Sequence, residues 1–181
     1  MINERELERI GRELLIAVGE DPDRDGLKDT PSRWARMWRE FFDYKPGSTG
    51  ALFNIGNSDS IVAVTGINVW SLCEHHLLPF STELSIAYIP SGPVLGLSKF
   101  ARIAHDKAHR LQVQERLTQE IADAVTAVTG SRDVAVIAKG HHLCMTMRGI
   151  KTEASMHTSI MRGIFKESPS ARTELLQLIT H

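Results

Sequence analysis

Ser71-Leu72-Cys73-Glu74-His75-His76-Leu77-Leu78-Pro79-Phe80 sets a cysteine three residues before a histidine, with a further histidine between them. A Cys-x-x-His pair can reach one metal ion from a single turn, because thiolate sulfur and imidazole nitrogen are ligands that zinc favours. Two ligands do not make a site. The only other cysteine is Cys144, in His141-His142-Leu143-Cys144-Met145, again beside histidines. Cys73, His76 and Cys144 together form a Cys₂His set with one tetrahedral position open. Three protein ligands plus an open position is the arrangement of catalytic zinc, whereas structural sites are closed by four.

The flanks of this stretch read as strand. Ile61-Val62-Ala63-Val64 and Ile67-Asn68-Val69-Trp70 lead into it, interrupted at Gly66. After it, Leu84, Ile86 and Tyr88 alternate with polar or small residues, the period of a half-buried strand, and Pro90-Ser91-Gly92-Pro93 closes the run. Val134, Val136 and Ala138 alternate in the same way and deliver His141, His142 and Cys144. A last extended run is expected around Thr158 to Phe165.

Helices surround these strands. Residues 2–19 place Leu7, Ile10, Leu14, Leu15 and Val18 on one face, and Asp21 to Gly26 reads as a turn. Thr30 as N-cap and Pro31 at the first helical position signal a second helix, with Trp34, Met37, Trp38, Phe41 and Phe42 as its apolar stripe. Tyr44 to Ser60, rich in Gly, Ser and Asn, reads as a connector. Gly96-Leu97-Ser98-Lys99 opens a helix capped by Ser98, with Lys99 and Arg102 one turn apart on one face. Exposed N–H groups and flanking cations make such a start an anion site, although any surface helix can carry a solvated basic face. Residues 111–129 form another helix, buried through Leu117, Ile121, Val125 and Val128 and ended by Gly130. Gln112, Gln114, Glu115 and Arg116 crowd its start, where the helix dipole alone would favour Glu115. Ser170 to Ile179 closes the chain as a helix with Leu175, Leu176 and Ile179 inward. Helices and antiparallel-looking strands are segregated rather than alternating as βαβ units, which predicts an α+β fold.

The chain of 181 residues is 42% hydrophobic and 24% charged, with a formal net charge of −1. That composition excludes disorder and exerts no global pull toward nucleic acid or membrane. No apolar run approaches the ~20 residues of a membrane span, and the polar start is no signal peptide. Two cysteines without an export signal point to the reducing cytoplasm and against a Cys73–Cys144 disulfide.

SLCEHHLLPF, GLSKFARI, LQVQERLTQEIADAV and HLCMTMRGI resemble, in order and at about the right spacing, the signatures of the GTP cyclohydrolase I family. The similarity runs from about Asp21 to the C-terminus. It implies the tunnelling fold: a four-stranded antiparallel sheet with two long helices on one face, preceded here by a helical region. One domain over 1–181 is expected, with residues 1–45 as the N-terminal helical part and 61–181 as the core. The resemblance further implies a ring-shaped homodecamer with sites at subunit borders.

The chemistry it implies is Zn²⁺-dependent opening of the imidazole ring of GTP, loss of formate and rearrangement to 7,8-dihydroneopterin triphosphate. Cys73, His76 and Cys144 match the metal ligands, and His75 and His142 the proton-transfer groups. Glu115 matches the acceptor of guanine N–H bonds, with Gln114 beside it as a substrate contact. Lys99, Arg102 and Arg148 match the triphosphate holders, Ser98 helps with phosphate or ribose, and Arg33 in Thr-Pro-x-Arg matches a further phosphate contact. Glu74 would orient a ligand from behind.

Lys139-Gly140-His141, Ser81-Thr82 and Ala154-Ser155-Met156-His157 depart from the family pattern, so His141 is an extra imidazole beside His142. Two rivals stay open at this level: a paralogue that stops at ring opening or serves deazapurine formation, and a non-catalytic zinc-binding scaffold. A zinc nucleobase deaminase is disfavoured, since its H-x-E…P-C-x-x-C signature is absent.

Overall fold

The computed structural model describes residues 2–54 and 60–180. The chain folds into two compact units, Met1–Lys45 and Pro46–His181. The part of the expected Tyr44–Ser60 connector at residues 55–59 lies outside the described residues.

The N-terminal unit is a helix pair, α1 (Glu4–Ala17) and α2 (Thr30–Phe42). Asn3 caps α1 by accepting from the Glu6 N–H at 3.1 Å. The two helices approach closely at Gly11, where a Cβ would lie 3.1 Å from the Trp34 ring. Asp29, not Thr30, occupies the N-cap of α2, and Pro31 sits in its first turn. The expected cap was one residue late because Thr30 already has helical backbone.

The second unit is built on a sheet in the order β5-β2-β3-β6-β7, comprising β2 (Val62–Cys73), β3 (Pro79–Tyr88), β5 (Leu111–Gln112), β6 (Val134–His142) and β7 (Ser155–Met161). The long strands β2, β3, β6 and β7 pair antiparallel, and the two-residue β5 adds a parallel edge to the end of β2. Gly66 does not divide the strand. The register shifts between Val64 and Ile67, and Gly66 takes φ 70 in the resulting bulge. Only glycine adopts that conformation without strain. A separate pair, β1 (Leu52–Phe53) with β4 (Val94–Leu95), lies beside this sheet in sequence.

Two long helices, α3 (Leu97–Ala108) and α4 (Gln114–Thr129), pack on one sheet face. Ile67, Val69, Leu84, Ile86, Val134 and Val136 meet Phe100, Ile103, Leu117 and Ile121 there in one buried cluster. The expected strand phase is therefore the observed one, and the fold class is α+β. The short helix α6 (Ile164–Glu167) and α7 (Pro169–Thr180) cover part of the other face, where Phe165 and Leu175 bury against Ala87 and Ala135. Among the described residues, no helix is long and apolar enough to cross a membrane.

Four local expectations are corrected. Gly96, with no side-chain cap bond, is the N-cap of α3, so Ser98 lies inside the helix. The expected helix over 111–129 begins at Gln114, because Leu111 and Gln112 are drawn into pairing with Leu72 and Cys73. The expected extended run at 158–165 is β7 up to Met161, then a turn into α6. Leu176 is 42% exposed rather than inward, while Leu175 is 1% exposed.

Leu84, at 0% exposure on the second strand of the antiparallel sheet, tests this core. Leu84→Ala is expected to lose about 2–5 kcal/mol of stability, read as a lower urea midpoint. An unchanged midpoint would place Leu84 outside the packed interior.

Candidate metal centre and active site

Strand direction assembles the site. Both β2 and β6 run antiparallel to β3, so both end beside its start. Cys73 closes β2, and Cys144 sits in α5 (Leu143–Thr146), directly after β6. The chain between β2 and β3 folds tightly, with Leu77 N donating to Cys73 O at 2.8 Å and Cys73 N to Leu78 O at 2.8 Å. Leu77 takes φ 55, a left-handed conformation uncommon outside glycine. That turn swings His76 back over Cys73.

The ligand atoms of Cys73, His76 and Cys144 all lie within 4.8 Å of one another. Burial pushes the Cys144 thiol pKa up, and the adjacent Cys73 adds to the rise. Two thiols held this close resist joint ionisation unless a cation sits between them. Geometry and donor chemistry thus fit a metal ion, and this group can bind one.

The surroundings are tied together from α4. Glu74 N donates to Gln112 O at 3.1 Å. The Arg116 guanidinium bonds the Glu74 carboxylate and holds its pKa below the usual range; it also donates to Gln112 Oε1 at 2.8 Å and Leu111 O at 3.0 Å. Glu74 is thus engaged by Arg116. Arg148 donates to His76 Nε2, which places a guanidinium against the cluster. His75 Nδ1 is 3.9 Å from Cys73 Sγ.

His142 stacks on Phe80 with ring centroids 4.6 Å apart and planes 9° apart. Its Nε2 is 2.9 Å from Gln114 Oε1. Burial lowers its pKa, with the exposed Glu115 carboxylate acting in the opposite sense. Cys73, His75, Gln114, Glu115, His142 and Cys144 all line one cleft of about 190 Å³. A second cavity of about 490 Å³, between His142, Glu153 and Ser155, adjoins it at His142.

The remaining expected residues stand elsewhere in the chain. Lys99 and Arg102, on the first turns of α3, both donate to Ser48 O, at 2.9 Å and 3.4 Å. They lie toward the far end of the sheet. Leu95, just before α3, donates to the Tyr88 hydroxyl at 2.7 Å, whereas the C-terminal end of α3 is at the cleft, where Ser71 bonds Ala108 O at 2.7 Å. The nine helical steps from Lys99 to Ala108 span about 13 Å. Ser98 is exposed beside Lys99, and Arg33, in the N-terminal unit, pairs with Asp29 at 3.1 Å. Phe80, Gln112 and Arg116 were not foreseen as parts of the site. The alternation along β3 put Phe80 on the buried face, but the partner it stacks on comes from a distant strand.

These features define a class: an α+β protein with an antiparallel four-stranded core, two long helices on one face, and a Cys-His-Cys group able to hold a metal in a histidine-lined cleft. The sequence model of the GTP cyclohydrolase I family matches residues 7–180, so the chain belongs to that family and is an enzyme of it. A protein of Alkalilimnicola ehrlichii named GTP cyclohydrolase 1 is 50% identical over 179 residues, covering 96% of this chain and 96% of that protein. One of Pseudomonas aeruginosa named GTP cyclohydrolase 1 1 is 50% identical over 175 residues, covering 93% of each. The crystal structure of the archaeosine synthase QueF-like in the apo form aligns with TM-score 0.43 and 22% identity, covering 57% of this chain and 95% of that chain.

Proposed function

We propose that this enzyme hydrolyses the imidazole ring of GTP, releases C8 as formate and rearranges the remainder to 7,8-dihydroneopterin triphosphate, the first step toward pterins and folate. The observation that carries this is that Cys73 and Cys144, grouped with His76, line one cleft with His142, in a chain of this family. Cys73, His76 and Cys144 hold Zn²⁺, which when bound supplies Lewis-acid activation of water at neutral pH. His142 gives a proton to guanine N7, making C8 electrophilic, and later protonates the opened formamide so that formate leaves. His75, which lines the same cleft, shuttles protons. Glu115 accepts from guanine N–H groups, and leaving that carboxylate unsatisfied disfavours adenine. The test is to incubate zinc-loaded protein with GTP and quantify formate and pterin together. Ring-opened product without pterin would leave a paralogue that stops early, and neither product would leave a binding protein.

Lys99, Arg102 and Arg148 hold the triphosphate, with Ser98 and Arg33 as further contacts. The placement of Lys99 about 13 Å and Arg102 about 9 Å of helix away from the cleft end of α3 supports a site completed across a subunit border. We therefore read the protein as a homo-oligomer, a ring-shaped decamer, of the cytoplasm, with no membrane or nucleic-acid partner. Neutralising Lys99 or Arg102 is expected to raise KM for GTP about ten- to a hundredfold, the scale of one charged hydrogen bond, with a smaller effect on guanosine. Mixing a Lys99→Ala protein with a Cys144→Ala protein is expected to restore part of the activity through hybrid sites. An equal loss with guanosine would place these cations in assembly instead.

A further inference from the structure

Gln114 is 1% exposed, and its amide is committed on both sides. Its Nε2 lies 3.3 Å from Ala138 O, 3.0 Å from Met156 O and 3.1 Å from Thr158 Oγ1. Backbone carbonyls only accept, so the amide nitrogen must face them and the group cannot be turned over. The threonines agree. Thr118 gives its one hydroxyl proton to Gln114 O at 2.7 Å, so in the 2.7 Å bond between the two hydroxyls Thr158 is the donor. Thr158 then has only lone pairs to offer the amide.

The amide oxygen is thereby directed at His142 Nε2, 2.9 Å away. That oxygen can only accept, so Nε2 must carry a hydrogen. Phe80 fixes the plane of the same ring. Gly140 is an independent sign that the contact is built for. A Cβ there would lie 1.9 Å from Gln114 Oε1 and 3.1 Å from His142 Nε2, and Gly140 is not among the positive-φ glycines. Glycine is needed here for space, not for backbone conformation.

We propose that Gln114 is a positioning residue that holds His142 in the Nε2–H tautomer, so that protons enter and leave this ring at Nδ1. This rests on the reading of His142 as the proton-transfer group and deepens it. It also removes Gln114 from direct substrate contact, since both amide N–H groups are spent on the protein.

The experiment uses zinc-loaded protein labelled with ¹⁵N-histidine, at a pH where the ring is uncharged. Long-range ¹H–¹⁵N spectra separate the two neutral tautomers, and the His142 signals are assigned by difference against His142→Gln. The expected result is Nε2–H alone. A wild-type Nδ1–H tautomer, or a mixture, overturns the proposal whether or not GTP is turned over. Absence of formate from wild-type protein strikes the proposed reaction instead, so the two failures are distinct. Gln114→Met keeps the length and removes the acceptor. It is expected to mix the tautomers and lower kcat about ten- to a hundredfold, with KM changed less than about threefold and zinc retained. Gly140→Ala is expected to give the same tautomer shift with Gln114 present, and decides the matter if Gln114→Met does not fold. Unchanged tautomer and kcat in these variants, or a rise in KM alone, overturns the proposal.

Discussion

Cys144→Ala is expected to leave the protein folded, without stoichiometric zinc, and with formate release from GTP reduced about a thousandfold or more, the scale of losing a principal catalytic element. Cys144 is the cleanest of the three ligands to remove. Cys73 is 6% exposed and belongs to the main buried cluster, so its loss would also disturb packing. Cys144 is only partly buried, on a four-residue helix. Without it, Cys73 and His76 remain as a two-ligand pair, too few to retain zinc against water. Zinc per chain and formate per unit time are the two measurements. Full zinc with normal turnover in Cys144→Ala would remove the ligand assignment.

His142→Ala is expected to keep its zinc and lose formate release about 10²–10⁴-fold, the usual contribution of a general acid–base group. A ring-opened formamide nucleotide should accumulate, because expelling formate depends on a second protonation. The extra imidazole next door does not rescue it. Consecutive strand residues point to opposite faces: His142 pairs with Phe80 and stacks on it, whereas His141 pairs with Ser81 and Ser155. His141→Ala is therefore expected to release formate at close to the wild-type rate, and the double variant to match His142→Ala. Near-normal formate from His142→Ala, with collapse in His141→Ala, would mean the assignment fell on the wrong histidine.

The grouping of Cys73, His76 and Cys144 was legible because the chain has only two cysteines and each stands among histidines. Strand phase was legible for a similar reason. Alternation in Leu84-Ser85-Ile86-Ala87-Tyr88 and in Val134-Ala135-Val136-Ile137-Ala138 is a local pattern, and one face must be buried whatever packs on it. Gly130 stopped α4 as expected, taking φ 69 at its C-cap. The family signatures carried the chemistry further than pattern alone, since nothing in spacing distinguishes a phosphate-binding Lys99 from a solvated one.

What the residues determined by themselves, then, was which cysteines and histidine stand together, the fold class and the faces of the main strands. All of these follow from residue type and short-range period. The tertiary structure alone decided the rest. Leu111 and Gln112 read as helix until the end of β2 offered them a strand partner. Lys99 and Arg102 share a helix face, yet they stand toward the opposite end of the sheet from Cys73, as the direction of α3 dictates. The amide of Gln114 bonds Ala138, Met156, Thr158 and His142, partners that its place at the start of a helix did not announce. A side chain's hydrogen-bonding capacity is finite, and which groups fill it depends on segments far apart in sequence that no local pattern encodes.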